Sequence, residues 1–396
     1  MPVPKKRRPA PVADSPAHPV IGLEAEFELF VDGVHTRPET YFGTPREFVG
    51  RPLIQRSGRS LHLPTGGALY FDTGVLEVAT PIIEIEPHCA HRAARSLWEQ
   101  IAFLRETLDA WEKTRGNGQR LTLTGFSAHY NVSFTPDPAT PWRTPERLAY
   151  LLCHLLPFPV MLLAANRKST GIGVRPRGNR LEITADFTPD PDLMTAAASF
   201  ITAAVREVMS WPDYGLEQLA LRGLPRLAGF TPRRHTSRKG WLARHDRFPH
   251  NPFTCDPMEK LWRLEDGRVL SLRQVARALA RPFRRAVGTL STPDVSEHVY
   301  AVLTGRARSF LDFPERPPEY EDAGRQIRWN RRQKRPLPRS RYEKVIFRVL
   351  EGKPLRTPEG VFTPHRMKGW HEVIYRNPAT GKTRLFTLDQ LALAGD

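Results

Sequence analysis

The sequence predicts an α+β fold: a curved, mainly antiparallel sheet backed by helices, with a small C-terminal appendage. Three observations predict it. Helical and strand-like segments alternate irregularly, unlike the regular β-α-β order of a doubly wound parallel sheet. The strands read as half-buried, with apolar and polar residues alternating, which suits antiparallel pairing. The 396-residue chain is 40% hydrophobic and 26% charged. That composition can bury a sizeable core, but the length exceeds that of a typical single one, so a large domain carries an appendage.

The elements follow in order. Residues 1–18 hold Lys5, Lys6, Arg7, Arg8 and many prolines with no apolar run behind them. They read as a solvated tail and not as a signal peptide. Residues 20–30 read as a strand. Gly66 and Gly67 lead into a second strand region, 68–81. Helical spacing places Ala94, Leu97, Ile101, Leu104 and Leu108 on one stripe of a helix over 88–115, ended by Gly116-Asn117-Gly118. Residues 121–134 are one long strand or a strand pair. Residues 145–165 are helical, and Pro157 and Pro159 make this apolar stretch a broken core helix and not a membrane span. Residues 166–179 read as a Gly- and Arg-rich loop, 180–187 as a strand and 192–209 as a helix. Helices return at 271–283 and 294–303. A hairpin over 371–386 turns at Asn377-Pro378-Ala379-Thr380-Gly381.

Charge and cysteines narrow the class. The net charge of +17 favours acidic partners such as nucleotides, nucleic acid or an acidic protein, although basic residues are spread along the whole chain. Eight of them fall within 325–341, a strip that contains Trp329 and no acid and reads as a linker or an anion-contacting segment. Cys89, Cys153 and Cys255 are scattered, which argues against a disulfide framework or a structural zinc site and suits a reducing cytoplasm.

The chemistry sits on strands. Alternation sends Glu24, Glu26 and Glu28 to one face of the first strand and Leu23, Phe27 and Leu29 to the other. His129, Asn131 and Ser133 share a face of the next long strand, and Arg180, Glu182, Thr184 and Asp186 share a face of another. A solvated outer face accounts for any one of these alone. Three together, rich in carboxylate, imidazole and guanidinium, point to a cation held among like charges. Hard Mg²⁺ or Mn²⁺ takes such oxygen ligands, and a histidine can complete the set. Asp72 and Glu77 lie on the 68–81 region at an odd spacing, so sharing a face requires a bulge at Gly74.

The Gly22-Leu23-Glu24-Ala25-Glu26 opening resembles that of glutamate–cysteine ligases and other glutamine synthetase-like carboxylate–amine ligases. Gly66 to Asp72 and Glu77 to Pro81 look like the corresponding segment of the Pup ligase and deamidase family. His129-x-Asn131 is similar to the His-x-His strand of glutamine synthetase, with Asn131 at the second histidine. Arg180-x-Glu182 resembles its Arg-x-Glu-x-Arg strand, with Thr184 at the second arginine. The resemblance covers about residues 20–210 and leaves the region after 310 untouched. It implies a glutamine synthetase-like catalytic domain over 19–310; the basic strip and the hairpin beyond it read as a basic linker and a small β-containing domain over 311–396 that guides the substrate and makes no catalytic contact.

The resemblance also implies an activity: ATP-dependent joining of a carboxylate to an amine through an acyl phosphate, with Mg²⁺ or Mn²⁺. Metal ligation then falls to Glu24, Glu26, Glu28, Glu77, His129 and Glu182. Asp72 serves as the base on the attacking amine. Asn166, Arg167, Arg175, Arg177 and Arg180 contact phosphate or substrate carboxylate. The substrates are an amino acid, a peptide or a protein. Two other readings suit the same residues: an amide hydrolase of the deamidase kind, and a binding protein for nucleic acid or an acidic partner with a degenerate site. Carboxylates facing a nucleic-acid groove would repel phosphate, which weighs against the last.

Overall fold

The computed structural model describes residues 16–50, 54, 61–235, 240–325 and 338–394. The centre of the basic strip, including Trp329, Arg331, Arg332, Lys334 and Arg335, lies outside the described residues, as does most of the N-terminal tail.

An antiparallel sheet of 11 strands forms the body of the molecule. Its principal strands are β1 (Val20–Val31), β2 (Ala68–Asp72), β3 (Val75–Ala79), β4 (Leu121–Ser133), β5 (Gly171–Pro176), β6 (Arg180–Asp186) and β7 (Trp241–Arg244). They lie in the order β7-β5-β6-β4-β1-β3-β2, with every neighbouring pair antiparallel. The two longest strands, β1 and β4, form the centre. The alternation read in β1 is real: Leu23, Ala25, Phe27 and Leu29 are buried, while Glu24, Glu26 and Glu28 are half-buried on the other side. The apolar side packs on helices.

Helix α1 (Cys89–Arg115) lies against β1 and β3, and α4 (Pro191–Met209) lies against β4. Asp190 caps α4 by accepting hydrogen bonds from the Asp192 and Leu193 amides. Helices α2 (Pro145–Leu155) and α3 (Pro157–Ala164) cover β5 and β6. They are bent by 67° at Leu156, where two prolines withdraw amide donors. No single helix among the described residues is long and apolar enough to cross a membrane. Helices α5 (Leu272–Ala280) and α6 (Pro293–Thr304) complete this layer against α3 and α4.

Two expectations change. The 68–81 region is not one bulged strand. Thr73 and Gly74 both take positive φ, 53° and 99°, and turn the chain back on itself. In the resulting hairpin Tyr70 pairs with Glu77 and Asp72 with Val75. Tyr70 and Asp72 are two residues apart, so Asp72 and Glu77 share a face without a bulge. The second change concerns residues 171–176, which form β5 and not a loop. Its glycines permit close packing: a Cβ on Gly173 would meet Thr184 Oγ1 at 2.3 Å.

The C-terminal unit has its own apolar core. Helix α7 (Arg341–Leu350), strands β8 (Leu355–Thr357), β9 (Gly360–Lys368), β10 (Glu372–Arg376) and β11 (Thr383–Thr387), and helix α8 (Leu388–Leu393) build it. Tyr342, Ile346, Phe362, Val373 and Leu388 pack together, and Val20 of β1 joins them. Phe310, Leu311, Tyr320 and Ala323 pack instead into the larger core, which therefore runs past residue 310. A buried ion pair docks the unit, with Glu343 on Arg92 of α1. The Glu84 carboxylate accepts from the Tyr342 amide at 2.8 Å beside it.

Candidate active site

The polar face of the central strands gathers four carboxylates and a histidine. Pairing sets Glu24 opposite His129 and Glu26 opposite Glu77. His129 Nδ1 lies 3.1 Å from Glu24, and Nε2 lies 3.7 Å from Glu26. A register shift in β4 at Phe126 and Ser127 swings the Ser127 hydroxyl onto Glu26, to which it donates at 2.5 Å. Tyr70 donates to Glu77 at 2.6 Å.

Ligand atoms converge in two groups, Glu24 with Glu77 and His129, and Glu26 with Asp72 and Glu77. Within each group they lie no more than 4.8 Å apart. Glu77 belongs to both.

The electrostatics follow from this crowding. Burial, then the charges of Glu24, Glu26 and Asp72, push the Glu77 carboxyl up to about 10, against the Tyr70 hydrogen bond. Burial also works against a charge on Glu24. The His129 hydrogen bond and charge, then Arg180, overcome it and hold that carboxyl down at about 2. Burial likewise opposes charging His129, and Glu24, Glu26 and Glu182 outweigh it and raise its pKa. Without a cation the site keeps a proton on Glu77 and favours one on His129. Oxygen donors plus one imidazole, with protons standing where positive charge is needed, fit a hard divalent ion.

Arg180 Nε donates to Asn131 Oδ1 at 2.7 Å at the other end of the face. Two residues expected among the metal ligands stand apart. Glu182 is buried between Arg175 and Arg177, the latter donating at 2.9 Å, because Arg175 is its direct partner across the β5–β6 pair. Glu28 lies beyond the register shift, opposite Thr124 and 4.0 Å from His35. Arg175 and Arg177, expected on phosphate, are thus held by Glu182. Arg167 donates to the backbone carbonyls of Phe253, Cys255 and Phe313, which lie outside helices and strands. Asn166 donates twice to Asp186, whose carboxyl burial pushes up to about 7. Ser127 and Tyr70 escaped the sequence reading. Ser127 continues the His129-Asn131-Ser133 alternation, which was the signal for it. Tyr70 needed the hairpin register.

No family model and no curated protein matches the sequence. Among solved structures, the chain is similar to the Pup ligase PafA in its complex with the prokaryotic ubiquitin-like protein Pup. The TM-score is 0.51 with 12% identity, covering 95% of this chain and 92% of that one. The fold is that of a Pup ligase. This is a glutamine synthetase-like fold, as the polar strands suggested. A second structure, PafA in complex with ADP, aligns at a TM-score of 0.44 with 13% identity over 84% of this chain and 89% of that one. In this Pup-ligase fold the carboxylate groups of β1, β2, β3 and β4 occupy the centre of the sheet.

Proposed function

We propose that this chain is an ATP-dependent carboxylate–amine ligase. The observation that carries the reading is Glu77, buried and shared by two carboxylate groups that need positive charge to ionise together. Glu24, Glu77 and His129 would hold one divalent ion, and Glu26 and Glu77 would share a second. Bound there, Mg²⁺ or Mn²⁺ supplies neutralisation of the nucleotide phosphates.

The chain's own residues account for the rest. A substrate carboxylate oxygen attacks the γ-phosphorus of ATP, the bond to the β-phosphate oxygen breaks, and ADP leaves. Arg180, held by Asn131, stabilises the charge spread over the transferring oxygens. The amine nitrogen then attacks the acyl carbon, phosphate departs, and the amine proton passes to Asp72. Asp72 suits that role because it lies at the rim of the groups and accepts only from Thr73 among the hydrogen bonds described. The neighbour bound to Pup supports a peptide or protein as one substrate.

The test is release of ADP on adding Mg²⁺, ATP, a carboxylate and an amine, with Pup and a panel of amino acids and peptides as substrates. ADP that appears only with both substrates, together with a product heavier by the joined amine, supports the ligase. Amide cleavage without ADP release would establish the hydrolase instead.

A further inference from the structure

The C-terminal unit meets the candidate site at one turn, where Gly369, Trp370 and His371 line a cavity together with Glu24, Asn131 and Arg180. Helices cover one face of its four-stranded sheet. Phe362, Met367, Val373 and Tyr375 pack there with α7 and α8. The other face carries Val361, Arg366, Lys368, Arg376 and Leu385, all exposed. Pairing sets Arg366, Ile374 and Leu385 in one row across it, and Thr363, Arg376 and Thr383 in the next. Glu372 pairs with Lys368 at 3.1 Å, but among the described residues no carboxylate pairs with Arg366 or Arg376. A solvated sheet face is ordinarily polar, whereas here Leu385 and Val361 stay 45% and 43% exposed among unpaired cations.

The edge of this sheet is open as well. Strand β11 is its outermost strand on one side. The Leu388 amide donates to the His371 carbonyl at 2.8 Å, and bonded pairs recur at every second residue of an antiparallel ladder. Phe386 and Arg384 therefore bond to Val373 and Tyr375, and the backbone groups of Leu385 and Thr383 point away from the sheet. The Thr387 amide agrees with this alternation, since it turns outward to the Gln390 side chain at 2.9 Å. Among the described residues nothing beyond the sheet takes up the amide or carbonyl of Leu385.

We infer that β11 docks an extended acidic segment of a partner protein by strand addition. The free amide and carbonyl groups supply the main-chain bonds, and Leu385 and Ile374 seat an apolar side chain. Arg376 reaches over the short Thr383 to meet a carboxylate. The inference goes beyond the ligase reading and does not depend on it. Cations at a sheet edge ordinarily keep like strands apart, and an acidic strand turns that repulsion into attraction. Nucleic acid suits the surface less well, because the two rows hold no aromatic ring on which a base could stack.

Fluorescence anisotropy of the full chain with labelled probes tests this. The probes are a peptide alternating glutamate and valine, its lysine–valine counterpart, and single-stranded oligothymidylate. The acidic peptide should bind, more weakly as salt rises, and the lysine peptide should not. Leu385→Pro removes an amide that points outward and spares the inner ladder, so it should weaken the acidic peptide by about tenfold at an unchanged melting temperature. Arg376→Glu should weaken it by about as much. Should Leu385→Pro melt early, Leu385→Thr keeps a strand former without the apolar seat, and a loss of affinity is again expected. Parent-like affinity in these variants, no binding of the acidic peptide by the parent, or equal binding of the lysine peptide would overturn the docking edge. Tighter binding of oligothymidylate that Arg376→Glu abolishes would overturn it in favour of a nucleic-acid surface.

Discussion

His154 shows what burial does to a single side chain. Its ring lies 5.1 Å from Tyr150 and 5.4 Å from Phe230, and Nε2 has no hydrogen-bond partner among the described residues. Burial, then Arg226, lowers its pKa from 6.5 to about 4. Between those values the unfolded chain binds the proton that the folded one refuses, so stability falls as the pH drops through this window. At its lower end the loss from this residue is about 3 kcal/mol. His154→Phe should therefore lose less stability between pH 7 and pH 4.5 than the parent in urea titrations. Equal losses would show that His154 is not the sensitive group. At the site, Mg²⁺ should raise the parent's melting temperature by mass action. Glu77→Gln should abolish that rise while leaving the metal-free melting temperature unchanged or about 2–4 °C higher, since Glu77 must take up a proton to be buried at neutral pH and glutamine need not. Glu26→Ala, which leaves the Glu24-Glu77-His129 group whole, should keep part of the response. A full Mg²⁺ response in Glu77→Gln would remove Glu77 from the metal site. Glu24, Glu26 and His129 were legible because side-chain alternation is a local rule. The departure of Glu182 was not legible, because its fate depends on Arg175, which arrives from a strand the sequence did not announce.

That strand marks where pattern reading ends at the level of the element. Ile172 and Val174 are fully buried and alternate as a strand should, but Gly171, Gly173 and Arg175 alternate with them, and glycine and arginine read as loop. Glycine is required here by space: Gly173 lies against Thr184 of β6. Gly173→Ala should cost about 1–3 kcal/mol in urea unfolding, and adding Thr184→Ala, which removes the obstructing oxygen, should recover most of it. No recovery would place the strain elsewhere. The β2–β3 hairpin was missed for a related reason. Asp72-Thr73-Gly74-Val75 was read as an interruption of one strand, whereas two successive positive φ values reverse the chain. The long elements, α1, β1, β4 and α4, carry enough periods of their pattern to be read directly, and only the register shift at Phe126 and Ser127 was hidden within them.

The whole molecule depends on how its two cores are joined. Arg92 and Glu343 are both buried at the junction, with Glu99 3.5 Å from the guanidinium. Glu343→Ala would leave that guanidinium without its main partner and should cost about 3–5 kcal/mol, whereas Arg92→Leu with Glu343→Leu should restore most of it. Chemical denaturation of the single and double variants checks this; a silent Glu343→Ala would mean that apolar packing alone holds the junction. The appendage itself was readable from its hairpin, but its docking was not, because the contacts join residues about 250 positions apart. Val20 has a further consequence for how the chain is made. It begins the central strand and yet packs among Tyr342, Val373 and Leu388. This strand therefore finishes burying its own end only against segments far along the chain. Closing so long a loop is slow. On this account the leading end of the acidic strand, although Glu24 and Glu26 already pair across to β3 and β4, would be among the last parts of the sheet to become rigid, once α7, β10 and α8 have packed on it.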